Sequence, residues 1–169
     1  MDAERLIGAG RVALAGSGAA LDVVAEAWQA QALAQAIGDQ LALHGPQELR
    51  TEARGLAETG ARGGASPDHP SLRAGGIRAA RLSTVTDTRG ALTGLGVLLG
   101  EVGIALVSVA CGTDEEGLYW QCIEAIDAAD ESNDRVLGML RRLTAQDEVR
   151  ERLRQRVRET EKEKEKEWG

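Results

Sequence analysis

The chain has no phenylalanine, one tyrosine (Tyr119) and three tryptophans (Trp28, Trp120, Trp168), so aromatic rings cannot build its interior. Sheets draw on aromatic and β-branched residues, and outside one stretch these are scarce. Two cysteines, Cys111 and Cys122, are too few for a disulfide framework and are expected to be reduced and buried thiols. The two histidines, His44 and His69, fall at a helix end and in a proline-containing loop. No transition-metal site can be assembled from them: a di-iron bundle needs Glu-x-x-His pairs, and no such pair occurs. Lysine is absent before position 162. The opening Met-Asp-Ala-Glu-Arg carries acids where a secretory signal needs positive charge, and the expected address is cytoplasmic.

What is present favours helix. Ala, Leu, Arg, Glu and Gln are helix formers, and hydrophobic residues make up 43% of 169, enough for one domain with a packed interior. The expected architecture is an all-α, single-domain bundle of five or six helices with a central apolar helix. Residues 1–143 form the bundle, and 144–169 a charged, partly disordered helix or tail. Arg outnumbers Lys 17 to 3, which with the Ala and Gly load suggests a high-GC genome.

Local signals place the elements. Asp2 caps a helix to about Ala15, with Leu6, Val12 and Leu14 among its apolar positions. A second helix spans about Ala19 to Leu43 with the stripe Leu21, Val24, Trp28, Leu33, Ile37 and Leu41, and His44-Gly45-Pro46 ends it. Residues 47–60 form a polar helix with Leu49 and Leu56 inward, 61–70 a loop, and Ser71 caps a helix from Leu72. The β-branched run Ser83 to Thr86 is the one weak strand signal, and its neighbours keep it helical. Thr113 or Asp114 starts a helix to Leu143, and Thr144 with Asp147 resembles a capping box opening a last helix.

Four segments bear on function. From Leu92 to Ala110 run 19 residues with one charge, Glu101. That is about the length of a membrane span, but Glu101 at its centre costs ~2.5–3.5 kcal/mol on insertion scales. Gly94, Gly96, Gly100 and Gly103 suit close helix contact, so a core helix enclosed on all sides is the favoured expectation. Glu124, Asp127, Glu131 and Asp134 lie within about 80° on one helical face. Such carboxylates could hold a cation or act as an acid–base pair, although a solvated or Arg-paired face is the plainer outcome. Arg78, Arg81 and Arg89 share a face if 77–90 is helical, and they are the expected charge partners of that stripe. On this expectation, charge reversal at Arg81 destabilises the fold.

Ser132 and Asn133 interrupt the apolar stripe of their helix, where a buried Asn can set register. The Arg run 150–158 lacks interleaved aromatics, and nearby acids dilute its field, which disfavours nucleic acid. The net charge of −7 is uneven: residues 113–134 carry −8 and 135–158 carry +5. Gly-x-Gly patterns lack the strand context of a dinucleotide site, and no nucleophile constellation or cofactor site is suggested.

The stretches AEAWQAQALAQAIG (25–38), RAGGIRAARL (73–82), LLGEVGIALV (98–107) and DEEGLYWQCIEAIDAADESNDRVLGMLRRL (114–143) resemble an uncharacterised streptomycete family, a domain of unknown function. The resemblance covers most of residues 1–143, leaving out the loop 61–70 and the charged tail. It implies an actinobacterial cytoplasmic protein and supplies no activity, ligand or functional residue. The favoured function is a non-enzymatic interaction or regulatory protein, binding itself or another protein. Its candidate surface is Tyr119, Trp120 and the acidic stripe, since large rings beside charge anchor interfaces. The rivals are a membrane-associated protein anchored through 92–110 and a small-molecule or metal-binding enzyme using the stripe.

Overall fold

A computed structural model describes residues 1–64 and 76–169. Among these residues the five α-helices are α1 (Ala3–Ala15), α2 (Ala20–His44), α3 (Arg50–Gly63), α4 (Thr88–Gly112) and α5 (Glu116–Trp168). Single 3₁₀ turns occupy Gln47–Leu49 and Arg78–Arg81, and no strand occurs among the described residues. The fold is all-α and single-domain.

The helix starts and stops follow local chemistry. The Asp2 carboxylate accepts from the Arg5 amide at 2.8 Å, satisfying one of the free N–H groups of α1. Gly45 closes α2 by donating its N–H to the Leu41 carbonyl at 2.9 Å. Asp87 caps α4 by accepting from the Gly90 amide at 2.9 Å. That cap explains why the expected helix over 77–90 does not form. The chain leaves the 3₁₀ turn at Leu82, stays irregular to Asp87 and starts afresh at Thr88. The irregular stretch is held instead by the chain's first residue: the Met1 ammonium donates to the Arg81 carbonyl at 2.9 Å, and the Ser83 amide donates to the Met1 carbonyl at 3.0 Å.

α2 touches all four other helices. Val24, Leu33, Ile37 and Leu41 are inward, as its stripe requires, but Leu21 is exposed. Val12 on α1 is likewise exposed, while Leu6, Ile7 and Leu14 are buried. α2 and α3 approach until backbone meets backbone. A Cβ on Gly38 would lie 2.6 Å from the Ala57 nitrogen, and one on Gly60 would lie 2.6 Å from the Gln35 nitrogen. Each helix thus offers the glycine that the other's backbone needs. Small side chains substitute for the missing aromatics by letting helices close up, which preserves dense packing.

α3 begins with the inward pair Leu49 and Leu56 nearby, both fully buried, and continues to Gly63, past the expected start of the loop at 61. Residues 65–70 of that loop, Ser71 and the first positions of the helix expected from Leu72 lie outside the described residues. α5 is one uninterrupted helix to Trp168. The Thr144 hydroxyl donates back to the Leu140 carbonyl at 3.1 Å, so Thr144 continues the helix and opens no capping box. The charged tail is helical through EKEKEKE.

Candidate interaction surface

The inner side of α4 joins the core through Leu92, Leu95, Leu98, Leu99, Val102 and Leu106. The expectation that 92–110 is enclosed on all sides does not hold. Thr93, Val97, Gly100, Ile104, Val107 and Cys111 are exposed, and they recur at alternating spacings of four and three. That is the spacing used along helix–helix seams. Val97 is 44%, Ile104 72% and Val107 48% exposed. A Cβ on Gly100 or Gly103 would meet nothing within 4 Å, so no contact within the described chain calls for either glycine.

Two grooves flank this ridge. One, of about 640 Å³, lies between α1 and α4 and is lined by Gly8, Arg11, Val12, Glu101 and Ile104. The other, of about 400 Å³, lies between α4 and α5 and is lined by Leu99, Gly103, Ile104, Ile126 and Asn133. Glu101 sits at the edge of the ridge and takes a forked ion pair from Arg11, with contacts of 2.7 and 3.0 Å. The Arg11 guanidinium holds the Glu101 carboxyl below its usual range by hydrogen bond and charge, and the arginine's own pKa rises in return. α4 is long and apolar enough to cross a membrane, and 33% of its most apolar stretch is buried.

The acidic stripe forms as its spacing requires. Trp120, Glu124, Asp127, Glu131 and Asp134 are all exposed on the outward face of α5, opposite the buried Cys122, Ala129, Val136 and Met139. Burial pushes the Cys122 thiol up; both cysteines are free, but Cys111 is exposed and not buried as expected, because it lies on the outward side of α4. Tyr119 and Trp120 meet edge to face at 5.3 Å. Among the described residues, no three His, Cys, Asp or Glu side chains converge to hold a metal ion.

The expected Arg partners go elsewhere. Arg78 forms a forked pair with Glu26 of α2, and its amide donates to Gln29 Oε1 at 3.0 Å. Arg81 is exposed and engages through its backbone carbonyl. Arg89 does reach α5, but at Asp147 (2.5 Å) and Thr144 (3.3 Å), beyond the stripe. Glu131 is held by Arg62 of α3 at 2.8 Å. The cause is the break at 82–87, which removes the shared helical face.

Ser132 is fully buried and donates to Gln31 Oε1 at 2.7 Å, a polar tie between α5 and α2. Asn133 is half-buried in the α4–α5 groove, its Oδ1 without a partner among the described residues. The outward ridge of α4 escaped the sequence reading because every face of that segment is apolar, which flattens the periodicity. The four-three spacing of Val97, Gly100, Ile104 and Val107 was the available signal.

The model of the Family of unknown function (DUF6099) matches residues 1–142, and the chain belongs to that family. The match includes residues 61–70 and ends where α5 runs out past the bundle. No curated protein and no solved structure matches the chain.

Proposed function

We propose that this member of the DUF6099 family is a non-enzymatic cytoplasmic interaction protein, and that the outward face of α4 receives an amphipathic helix of another protein. The observation that carries the reading is the exposed ridge Val97, Gly100, Ile104 and Val107 at helix-pairing spacing. Helix-in-groove recognition uses such anchors, and Gly100 and Gly103 leave room for close approach. The Arg11–Glu101 pair beside the ridge selects the occupant. A lipid phase penalises charge at mid-helix, whereas a helix with one polar flank can bond the pair's remaining lone pairs and N–H groups.

The test places a photo-crosslinking side chain at Ile104, Val107, Trp120 or Arg54 of the full chain in its native cell. Discrete protein adducts from positions 104 and 107, absent from the exposed control on α3, support the reading. Adducts only from Trp120 would move the surface to the acidic face. Co-flotation of the purified chain with phospholipid vesicles, lost on Ile104→Glu, would replace the protein partner by a membrane, the reading that the hydropathy of α4 favours.

A further inference from the structure

The last part of α5 has no bundle to lean on. Every residue from Asp147 to Trp168 is exposed, a rod of about 33 Å at the α-helical rise. Among the described residues, its ion pairs to the bundle are Arg89 to Asp147 and Arg150 to Glu48, near its root. Most helical stability in proteins comes from tertiary packing, and this stretch has none of it. It also sets like charges four apart, in the row Arg150, Arg154, Arg158, Lys162 and Lys166. Such rows weaken a lone helix, although opposite charges three apart, such as Glu159 and Lys162, offset part of that. Val149, Leu153 and Val157 are 54–56% exposed along one side.

That side has a definite pattern. Val149, Leu153, Val157, Thr160, Lys164 and Trp168 follow spacings of four, four, three, four and four, an eleven-residue period that keeps one face aligned along a nearly straight helix. The charges beside it are segregated. Residues 150–158 hold five Arg and one Glu, and residues 159–167 hold five Glu and three Lys.

We propose that two copies of this chain associate through their projecting helices, packed antiparallel about a two-fold axis between Arg158 and Glu159. In that arrangement the apolar face maps onto itself. Val149 meets Trp168 of the second copy, Val157 meets Thr160, and Leu153 lies along the Lys164 stem. In antiparallel pairs each flank faces the same flank of its mate. Arg150 and Arg154 then oppose Glu165 and Glu161 on one side, and Arg152 and Arg156 oppose Glu167 and Glu163 on the other. Each pair is within about 3 Å in height along the axis. A parallel pair would lay the basic half against the basic half and the acidic against the acidic, so charge selects the orientation. The association joins the region outside the family match and leaves the α4 ridge free.

Sedimentation of the full chain at low ionic strength tests this. The expected species has twice the 17.9 kDa of one chain, and added salt dissociates it. Two variants, one with Arg150, Arg152, Arg154 and Arg156 changed to Glu, the other with Glu161, Glu163, Glu165 and Glu167 changed to Arg, should each dimerise at least tenfold more weakly. Their equimolar mixture should recover the dimer. Orientation is read in a Cys111→Ser background, where Val149→Cys with Trp168→Cys forms intermolecular disulfides and Val149→Cys alone does not. A monomer at 100-fold the working concentration overturns the proposal, as does a dimer indifferent to both charge variants. A dimer lost on Glu124→Lys with Asp127→Lys would overturn it too, because the basic stretch would then be docking on the acidic face of the second copy. The charge-changed residues of the projecting helix are exposed beyond the bundle, and Cys111, Glu124 and Asp127 are exposed on its surface, so a preserved melting transition separates lost pairing from lost folding.

Discussion

Substituting alanine at two glycines should move stability in opposite directions. At Gly38 the added Cβ would lie 2.6 Å from the Ala57 nitrogen, 2.8 Å from the Ala53 oxygen and 2.9 Å from the Ala57 Cα. All three are backbone atoms of α3, so no side chain can rotate away. Ordinary contact begins near 3.4 Å, which requires α2 and α3 to part by about 0.8 Å. A gap of that size forfeits roughly a quarter to a half of each dispersion contact it opens. Overpacking of this kind costs ~1–3 kcal/mol, and the backbone character of the clash places Gly38→Ala at the upper end. Alanine's helix preference over glycine returns ~1 kcal/mol. The net is a loss of ~1–2 kcal/mol, or about 2–8 °C in Tm for a chain of this size.

At Gly100 the Cβ enters open space, so only the propensity gain remains, and Gly100→Ala should raise Tm by about 2–4 °C. Thermal unfolding by circular dichroism, with calorimetry to check cooperativity, measures both. A Gly38→Ala variant as stable as the wild type would refute the close approach of α2 and α3.

Three further outcomes are expected. Arg78→Ala leaves the half-buried Glu26 without its ion pair and should cost ~1–3 kcal/mol, whereas Arg81→Glu should stay within ~0.5 kcal/mol; urea unfolding of both would expose an error if their order reversed. Glu101 has a depressed folded pKa, so its pair with Arg11 stabilises fully above the ordinary carboxylate value of 4.5 and loses that contribution as pH falls through the folded pKa. Any advantage of wild type over Glu101→Gln should therefore be present at neutral pH and vanish in acid, and a difference that grows on acidification contradicts the assignment. Truncation after Gln146 removes only exposed residues and, of the ties to the bundle, two surface ion pairs, so the bundle's melting transition should move by less than about 1 kcal/mol equivalent.

Much of the bundle was legible because its signals are local. Asp2 and the Gly45-Pro46 stop act on their own helix ends, and the spacing of Glu124, Asp127, Glu131 and Asp134 fixes one exposed face whatever packs behind it. The failures were of two kinds. Residues 77–90 looked helical by composition, but the Asp87 cap and the Met1 contacts hold a break there, and the break scattered Arg78, Arg81 and Arg89 to unrelated partners. Thr144 looked like a cap because a hydroxyl can serve either role, and only its bond to the Leu140 carbonyl shows which one it takes.

The scarcity of aromatic and β-branched residues, set against abundant Ala, Leu, Glu and Arg, determined by itself that this is a helical protein with a small-residue core. Propensity and apolar periodicity act within a single helix and need no partner to be read. Which face of α4 turns outward was decided only in three dimensions. A segment apolar on every side carries no internal record of where its neighbours stand, and α1, α2 and α5 together cover one side of it and leave Val97, Ile104 and Val107 in the open. The reach of α5 past the bundle was settled the same way, because among the described residues no element covers it after its root.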